Sequence, residues 1–382
     1  MSIGDRRFFG KPYDWRKVVE QRIVFTGGGT GGHVYPGLAV AWALRRSWSG
    51  RITWVGSRRG IEAEIVGSSG IDGLEFRHIP SGKLRRYLSF QNFIDIFKIL
   101  GGFVHCMIDF LKDPPAAIFS KGGYVTVPPV WAAGLLKIPV ISHESDLDPG
   151  LATRLNMKKS SAIFVAYKDS IQYFPDSIKP RVHVSGNPIR EDLFRGDPRE
   201  GRSLFPGIRE GVPVVVVLGG SLGAVQVNNL VQENLPRLRG KAVIIHQYGK
   251  QWQPPGEEPG FYYPRDFIGP EMKHVLAMAD LAVARAGAGT LWELGVLTIP
   301  GILIPLTAGS RGDQIRNARI FEQTGAYQVM MDPEAEEFGT ALESLIANRQ
   351  KREEMASHAD ALPRDAAGII ADRIMTIIQQ SG

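Results

Sequence analysis

The sequence predicts an α/β protein with two parallel sheets, each covered by helices on both faces. Three observations carry this. Short apolar runs of four to seven residues alternate with helical stretches along the chain, as strands buried on both sides do. Two of the runs, "IVFT" at 23–26 and "PVVVVL" at 213–218, pass directly into glycine-rich turns that open a helix. The second turn restarts the pattern, so two sheets fit better than one.

Taken in order, "IVFT" leads through Gly27–Gly29, Thr30, Gly31 and Gly32 to His33 and an apolar-periodic helix. "RITWVGS", "AAIFSKGGYVTVPPVWAAGLL", "IPVISHESD" and "SAIFVAY" continue the alternation. Between the first two lies 82–111, "GKLRRYLSFQNFIDIFKILGGFVHCMIDFL", a helical stretch whose apolar residues are expected to be mostly core. Gly101 and Gly102 are expected to bend or break it. Gly186, Asn187 and Pro188 in "HVSGNPIREDLF" interrupt the pattern and set the expected boundary. The division is then 21–186, 187–362 and a C-terminal amphipathic helix, 363–382, available to pack back on the first domain. Residues 1–20 read as an extension. After "GGSLGAVQVNNLV" come "AVIIHQYG", "RDFIG", "ADLAVARAGAGTLWELGVL" and "PGILIPL", with "QWQPPGEEPG" as a surface loop.

Composition bounds the function. At 382 residues and 43% hydrophobic content, two ordinary cores can be buried. No apolar window is long enough to span a bilayer, and the N-terminal stretch does not read as a secretory signal. Cys106 is the only cysteine, so neither a disulfide framework nor a cysteine metal site is available. Net charge is +6, concentrated early: residues 1–100 carry 16 Lys/Arg against 8 Asp/Glu, the rest 29 against 31. An anionic membrane surface and nucleic acid are the usual partners for such a field. No nucleic-acid motif or aromatic-interleaved basic surface accompanies it, so nucleic acid is not expected.

A glycine turn after a strand lets backbone approach a ligand, and the following helix offers free N–H groups and a positive dipole end to phosphate. The first loop lacks the GxGxxG spacing with its distant acid, and it lacks GK[ST]. Dinucleotide binding and ATP hydrolysis are therefore disfavoured, and close helix–strand packing would explain either loop taken singly. Around the second loop the signals accumulate. "GGSLGA" offers Ser221, "ARAGAGTLWELG" at 284–295 opens another helix with Glu293 inside it, and "RGDQIRNA" at 311–318 brings Asp313, Gln314 and Asn317. All three follow strands, where open α/β sheets bind ligands. A nucleotide diphosphate site in the second domain is the expectation, Glu293 either accepting from a ribose diol or complementing the helix dipole.

Seven segments, "GGGTGGHVYP", "SKGGYVTVPP", "HESDLDPGLA", "GNPIR", "GGSLGA", "RAGAGTLWE" and "DQIRNA", occur in the order and spacing of the MurG family, which this chain resembles over about residues 21–380. These are N-acetylglucosaminyltransferases that complete lipid II. The resemblance implies a GT-B fold, two Rossmann-like domains with parallel sheets facing a central cleft. It implies UDP-N-acetylglucosamine as donor, undecaprenyl-diphospho-N-acetylmuramoyl-pentapeptide as acceptor, and no cofactor. By motif, Thr30, Gly31 and Gly32 would reach the sugar side, Arg190 and Ser221 the diphosphate, and Ile268 the uracil. Ala288, Gly289, Thr290, Leu291, Trp292 and Glu293 would surround the ribose, and Gln314 the sugar. Asp146, which stands where many members of the family have asparagine, would bind the donor by accepting a sugar hydroxyl.

An inverting displacement needs a base for the acceptor 4-hydroxyl and charge stabilisation for the departing diphosphate. The one Asp-x-Asp, Asp146-Leu147-Asp148, falls inside "HESDLDPGLA", and no His/Asp/Glu ligand cluster accompanies it, so no metal is expected at the chemistry. His33, at the lip of the first loop, would serve as base or bind the acceptor diphosphate. Glu144 and His143 are the alternatives. Lys83, Arg85 and Arg86 beside Tyr87, Leu88 and Phe90 read as a patch for peripheral docking on the anionic cytoplasmic face of the membrane, where other cell-wall synthesis proteins are possible partners. Two rival functions remain open: a UDP-N-acetylglucosamine 2-epimerase-like enzyme and a non-catalytic nucleotide-sugar-binding adaptor.

Overall fold

The computed structural model describes residues 21–58, 60–82, 90–220, 223–250, 252–307, 312–359 and 362–381. Its first sheet holds β1 (Arg22–Thr26), β2 (Arg51–Ser57), β3 (Leu74–Ile79), β4 (Ala117–Ser120), β5 (Val140–Glu144), β6 (Ala162–Val165) and β7 (Val182–Val184), in the order β3-β2-β1-β4-β5-β6-β7. The second holds β8 (Val214–Leu218), β9 (Val243–Gln247), β10 (Tyr262–Arg265), β11 (Leu281–Ala284), β12 (Gly301–Leu303) and β13 (Tyr327–Val329), ordered β10-β9-β8-β11-β12-β13. Every named strand pair is parallel. The central strands β1, β4, β8 and β11 are buried throughout, which is why their sequences run apolar without alternation. Each sheet reverses direction once, between β1 and β4 and between β8 and β11. Those reversals open a crevice at the strand carboxyl ends.

The helices of the first unit are α1 (Gly31–Leu44), α2 (Glu62–Gly67), α3 (Phe90–Lys112), α4 (Val127–Leu135) and α5 (Leu151–Asn156). The second unit uses α6 (Pro198–Ser203), α7 (Val225–Leu238), α8 (Met272–Ala277), α9 (Ala288–Val296), α10 (Asp313–Gln323), α11 (Ala335–Ala347) and α12 (Arg349–Ser357). Helix α13 (Ala366–Ser381) then returns to the first unit, where Ile370, Ile374 and Ile377 join the core beneath α1. The chain thus crosses between the sheets twice. The two crossings touch: a Cβ on Gly186, at φ +82°, would stand 3.0 Å from Pro363 and from Trp292. Only glycine fits there.

Two expectations about α3 fail. Helix α3 runs unbroken through Gly101 and Gly102 for 23 residues. Gly102 is there for contact: a Cβ would fall 2.2 Å from the Pro80 carbonyl oxygen and 3.3 Å from Pro128 of α4. Nor are the apolar residues of α3 mostly core. Cys106 and Phe110 are buried, while Ile96, Leu100, Val104, Ile108 and Leu111 form a second stripe that faces outward.

Candidate active site

The first reversal builds a cradle. Gly27–Gly29 pass from β1 into α1, and Gly122 and Gly123 follow β4 on the other side. Neighbours exclude a side chain at several of them: the Glu62 carboxyl lies 2.7 Å from a Cβ at Gly28, and the Tyr124 ring 2.9 Å from one at Gly29, which adopts φ +88°. Glu62 is buried and accepts from Ser57 N (2.8 Å), Ser57 Oγ (2.5 Å) and Gly29 N (3.3 Å), bracing the loop from below. The His33 ring lies along Gly122–Gly123, where a Cβ on Gly123 would meet its Cδ2 at 3.2 Å.

His33, Thr30, Glu144 and Asp146 line one side of a cavity of ≈ 820 Å³. Its opposite walls are apolar, drawn from α3 (Ile96, Leu100), α4 (Trp131) and α5 (Leu151, Leu155). The space therefore joins a polar floor to an apolar groove that opens on the outward stripe of α3.

Glu144 ends β5 with both oxygens committed. Oε1 accepts from Ser145 N (2.9 Å) and Asp146 N (3.2 Å), and Oε2 accepts from Gly150 N (3.0 Å) and Thr153 Oγ1 (2.7 Å). It is a loop brace. His143 is buried, and its Nε2 donates to the Gly186 carbonyl at 2.9 Å. Burial and the nearby Lys121 hold its pKa well below the usual imidazole value. Of the three histidine and glutamate candidates, only His33 meets the cavity with a half-buried ring.

The second unit faces this cradle. The Arg190 guanidinium lies over the Tyr35 ring of α1, 5.4 Å from its centroid, and its Nε has no hydrogen-bond partner among the described residues. Burial raises the Tyr35 pKa, Arg190 lowers it and Glu293 raises it, so these three groups share one region between the units. Burial pushes the Glu293 carboxyl up to about 7, with Arg190 opposing. Ala288, Gly289 and Thr290 are half-exposed at the start of α9. Leu291 and Trp292 turn into the core, so their contribution to a ribose site is limited to main chain. The Ile268 side chain is likewise core, and its N–H donates to Gln247 Oε1 at 2.9 Å. The neighbouring Phe267 is 48% exposed past the end of β10. Gln314 Oε1 accepts from Leu306 N (3.0 Å). Asp146 is bound across the cleft, Oδ1 accepting from Asn317 Nδ2 at 3.1 Å. Ser221, Lys83, Arg85, Arg86, Tyr87 and Leu88 lie outside the described residues, as does the Phe90 side chain. Sequence reasoning missed Lys121 and Tyr35, each sitting in a quoted motif among more conspicuous neighbours. Among the described residues, no three His, Cys, Asp or Glu side chains gather as metal ligands, and no helix is long and apolar enough to cross a membrane.

Comparison with known proteins adds an independent line. Residues 23–165 match the glycosyltransferase family 28 N-terminal domain and residues 214–369 its C-terminal domain. A Treponema denticola protein named UDP-N-acetylglucosamine--N-acetylmuramyl-(pentapeptide) pyrophosphoryl-undecaprenol N-acetylglucosamine transferase is 44% identical, covering 92% of this chain and 96% of its own. The crystal structure of Acinetobacter baumannii MurG superposes with TM-score 0.71 at 25% identity, over 93% of this chain and 99% of that one. UDP-GlcNAc 2-epimerase from Neisseria meningitidis, at TM-score 0.65 and 14% identity over 95% and 100% of the two chains, shares the fold alone.

Proposed function

The chain belongs to the MurG family within glycosyltransferase family 28, and from that premise we propose how its cleft divides the work of the reaction. The enzyme transfers N-acetylglucosamine from UDP-N-acetylglucosamine to the undecaprenyl-diphospho-muramoyl-pentapeptide, forming lipid II. The donor lies on the second unit, its diphosphate against Arg190 and the start of α7, its ribose on Glu293, its base beside Phe267, and its sugar toward Gln314. The acceptor enters from the first unit. The single observation that carries this division is the cavity itself, whose polar floor suits a diphosphate and sugar while its apolar walls suit a polyprenyl chain.

The acceptor 4-hydroxyl attacks the anomeric carbon from the face opposite UDP. A new C1–O4 bond forms as the bond to the β-phosphate oxygen breaks, inverting the centre. His33 takes the hydroxyl proton, and Arg190 with the helix N-terminus stabilises the charge left on UDP. The outward stripe of α3, continued by Trp131, Leu135 and Leu155, supports peripheral seating on the membrane from which the acceptor is drawn.

UDP release by purified protein in detergent, with and without a polyprenyl-diphospho-muramoyl-peptide, tests the reading. Release that depends on the acceptor is expected. Release without acceptor would favour 2-epimerase or hydrolase chemistry, and saturable UDP binding without release would favour the adaptor.

A further inference from the structure

Lys121 follows β4 at the first sheet's reversal, and only 1% of it is accessible. Lysine is rarely buried that far without a partner. Its N–H donates to Thr26 O (2.8 Å), continuing the β1 ladder, and its Cβ would lie 3.0 Å from a Cβ on Gly27. The side chain is thus confined beneath the cradle. Its Nζ donates to Ser145 Oγ at 2.7 Å, and that hydroxyl donates to Asn187 Oδ1 at 2.5 Å, on the first crossing between the units.

The loop above this ammonium carries two carboxylates. Glu144 has all of its hydrogen bonding spent within the loop, and its charge lies close to that of Asp146. Burial and Glu144 push the Asp146 carboxyl up to about 6, while Asn317 and Lys121 draw it down. Burial lowers Lys121 to about 8, and Glu144 and Asp146 oppose that shift. Asp146 then reaches the other unit: Asn317 donates Nδ2 to Asp146 Oδ1 (3.1 Å) and receives Leu147 N on its Oδ1 (3.4 Å). Asn317 lies one turn beyond Gln314 on α10. A carboxylate in this loop would be repelled by Glu144 unless a cation lay near.

We propose that Lys121 is a positioning residue of the transfer reaction: its buried ammonium compensates Asp146, so that Asn317 can dock and α10 presents Gln314 to the donor sugar at a fixed place. The proposal rests on the assignment of Gln314 to the donor. It makes Asp146 the tie between the two units, with its oxygen spent on Asn317 in the closed cleft.

The test is a double-mutant cycle of Lys121→Met, Asp146→Asn and both together, read as KM for UDP-N-acetylglucosamine, kcat, donor affinity by calorimetry and Tm. Lys121→Met leaves the carboxylate uncompensated and is expected to raise donor KM about tenfold, with a smaller change in kcat. Asp146→Asn still accepts from Asn317 but takes one of two carboxylates from the ammonium, leaving it Glu144 and Ser145 Oγ, so that single variant also loses donor affinity. The double variant is neutral at both positions and leaves Glu144 held by its four loop hydrogen bonds, so it is expected within about threefold of wild type. Losses that add, or a Lys121→Met enzyme kinetically like wild type, would overturn the proposal. If Lys121→Met does not fold, a folded and active double variant supports charge compensation, and an unfolded double variant overturns it. The calorimetric cycle needs no turnover. Absence of acceptor-dependent turnover in wild type therefore strikes the functional assignment, while uncoupled affinities strike the role of Lys121.

Discussion

The three candidates for the proton acceptor differ in what their polar atoms already hold. Glu144 lines the cavity but accepts four hydrogen bonds from its own loop, His143 is locked to Gly186, and His33 meets the cavity with a half-buried ring. Glu144→Gln keeps the shape but places an NH₂ where one oxygen accepted, so two bonds are lost. A stability loss of about 2–4 kcal/mol is expected, seen as a lowered Tm. His33→Ala removes a ring that no core depends on. Its kcat should fall roughly 100- to 1,000-fold while donor affinity stays within about twofold. Loss of donor affinity equal to the loss of kcat would return His33 to the binding of substrate. His33 was legible in the sequence because a polar ring at the lip of a bare glycine loop stands out. Lys121 was not, since a lysine following a strand usually reaches solvent, and only the packing of Gly27 and Ser145 around it shows otherwise.

Helix α3 shows where local sequence and tertiary packing part ways. Helical pattern and two adjacent glycines argue for a break, but the glycines face different surroundings. A Cβ on Gly101 would find its nearest neighbour at 3.9 Å, whereas one on Gly102 would meet the Pro80 carbonyl at 2.2 Å. Gly101→Ala should therefore stabilise by about 0.5–1 kcal/mol through helix propensity. Gly102→Ala should destabilise by about 2–3 kcal/mol as α3 is pushed off β3 and α4. Thermal unfolding of the pair decides it, and equal effects would mean that contact is not what Gly102 serves. The central strands, by contrast, were readable almost residue for residue: "VVVVL" and "IVFT" have no polar face because both faces are covered, whereas β10 (Tyr262–Arg265) ends on the first residue of the quoted "RDFIG". Composition could not divide the apolar residues of α3 between core and surface, because both stripes use the same residue types. Only the neighbours Pro80 and Pro128 determine which one is inside.

At the scale of the molecule, two crossings and a returning helix make the halves one machine with two unlike faces. The second unit builds two apolar cores on its own sheet, while the first gathers Val104, Ile108 and Leu111 in the open along one helix, in a chain whose first 100 residues carry the excess of positive charge. A stripe of that kind costs solubility unless something apolar covers it, and the cavity leading from it to His33 supports the proposed lipid surface as that cover. Seated on an anionic bilayer, the stripe would enter the acyl boundary and the groove would meet the lipid tail of the acceptor without lifting it into water. Val104→Asp and Ile108→Asp lie outside the cavity wall, so they separate seating from chemistry. Each should weaken flotation with anionic vesicles about tenfold. Each should also raise the apparent KM for a vesicle-borne acceptor, leaving turnover of a short-chain acceptor in detergent unchanged. Leu204→Asp, an exposed apolar site at the end of α6 in the second unit, should do neither. If it weakens flotation as much, the membrane face is not where α3 points.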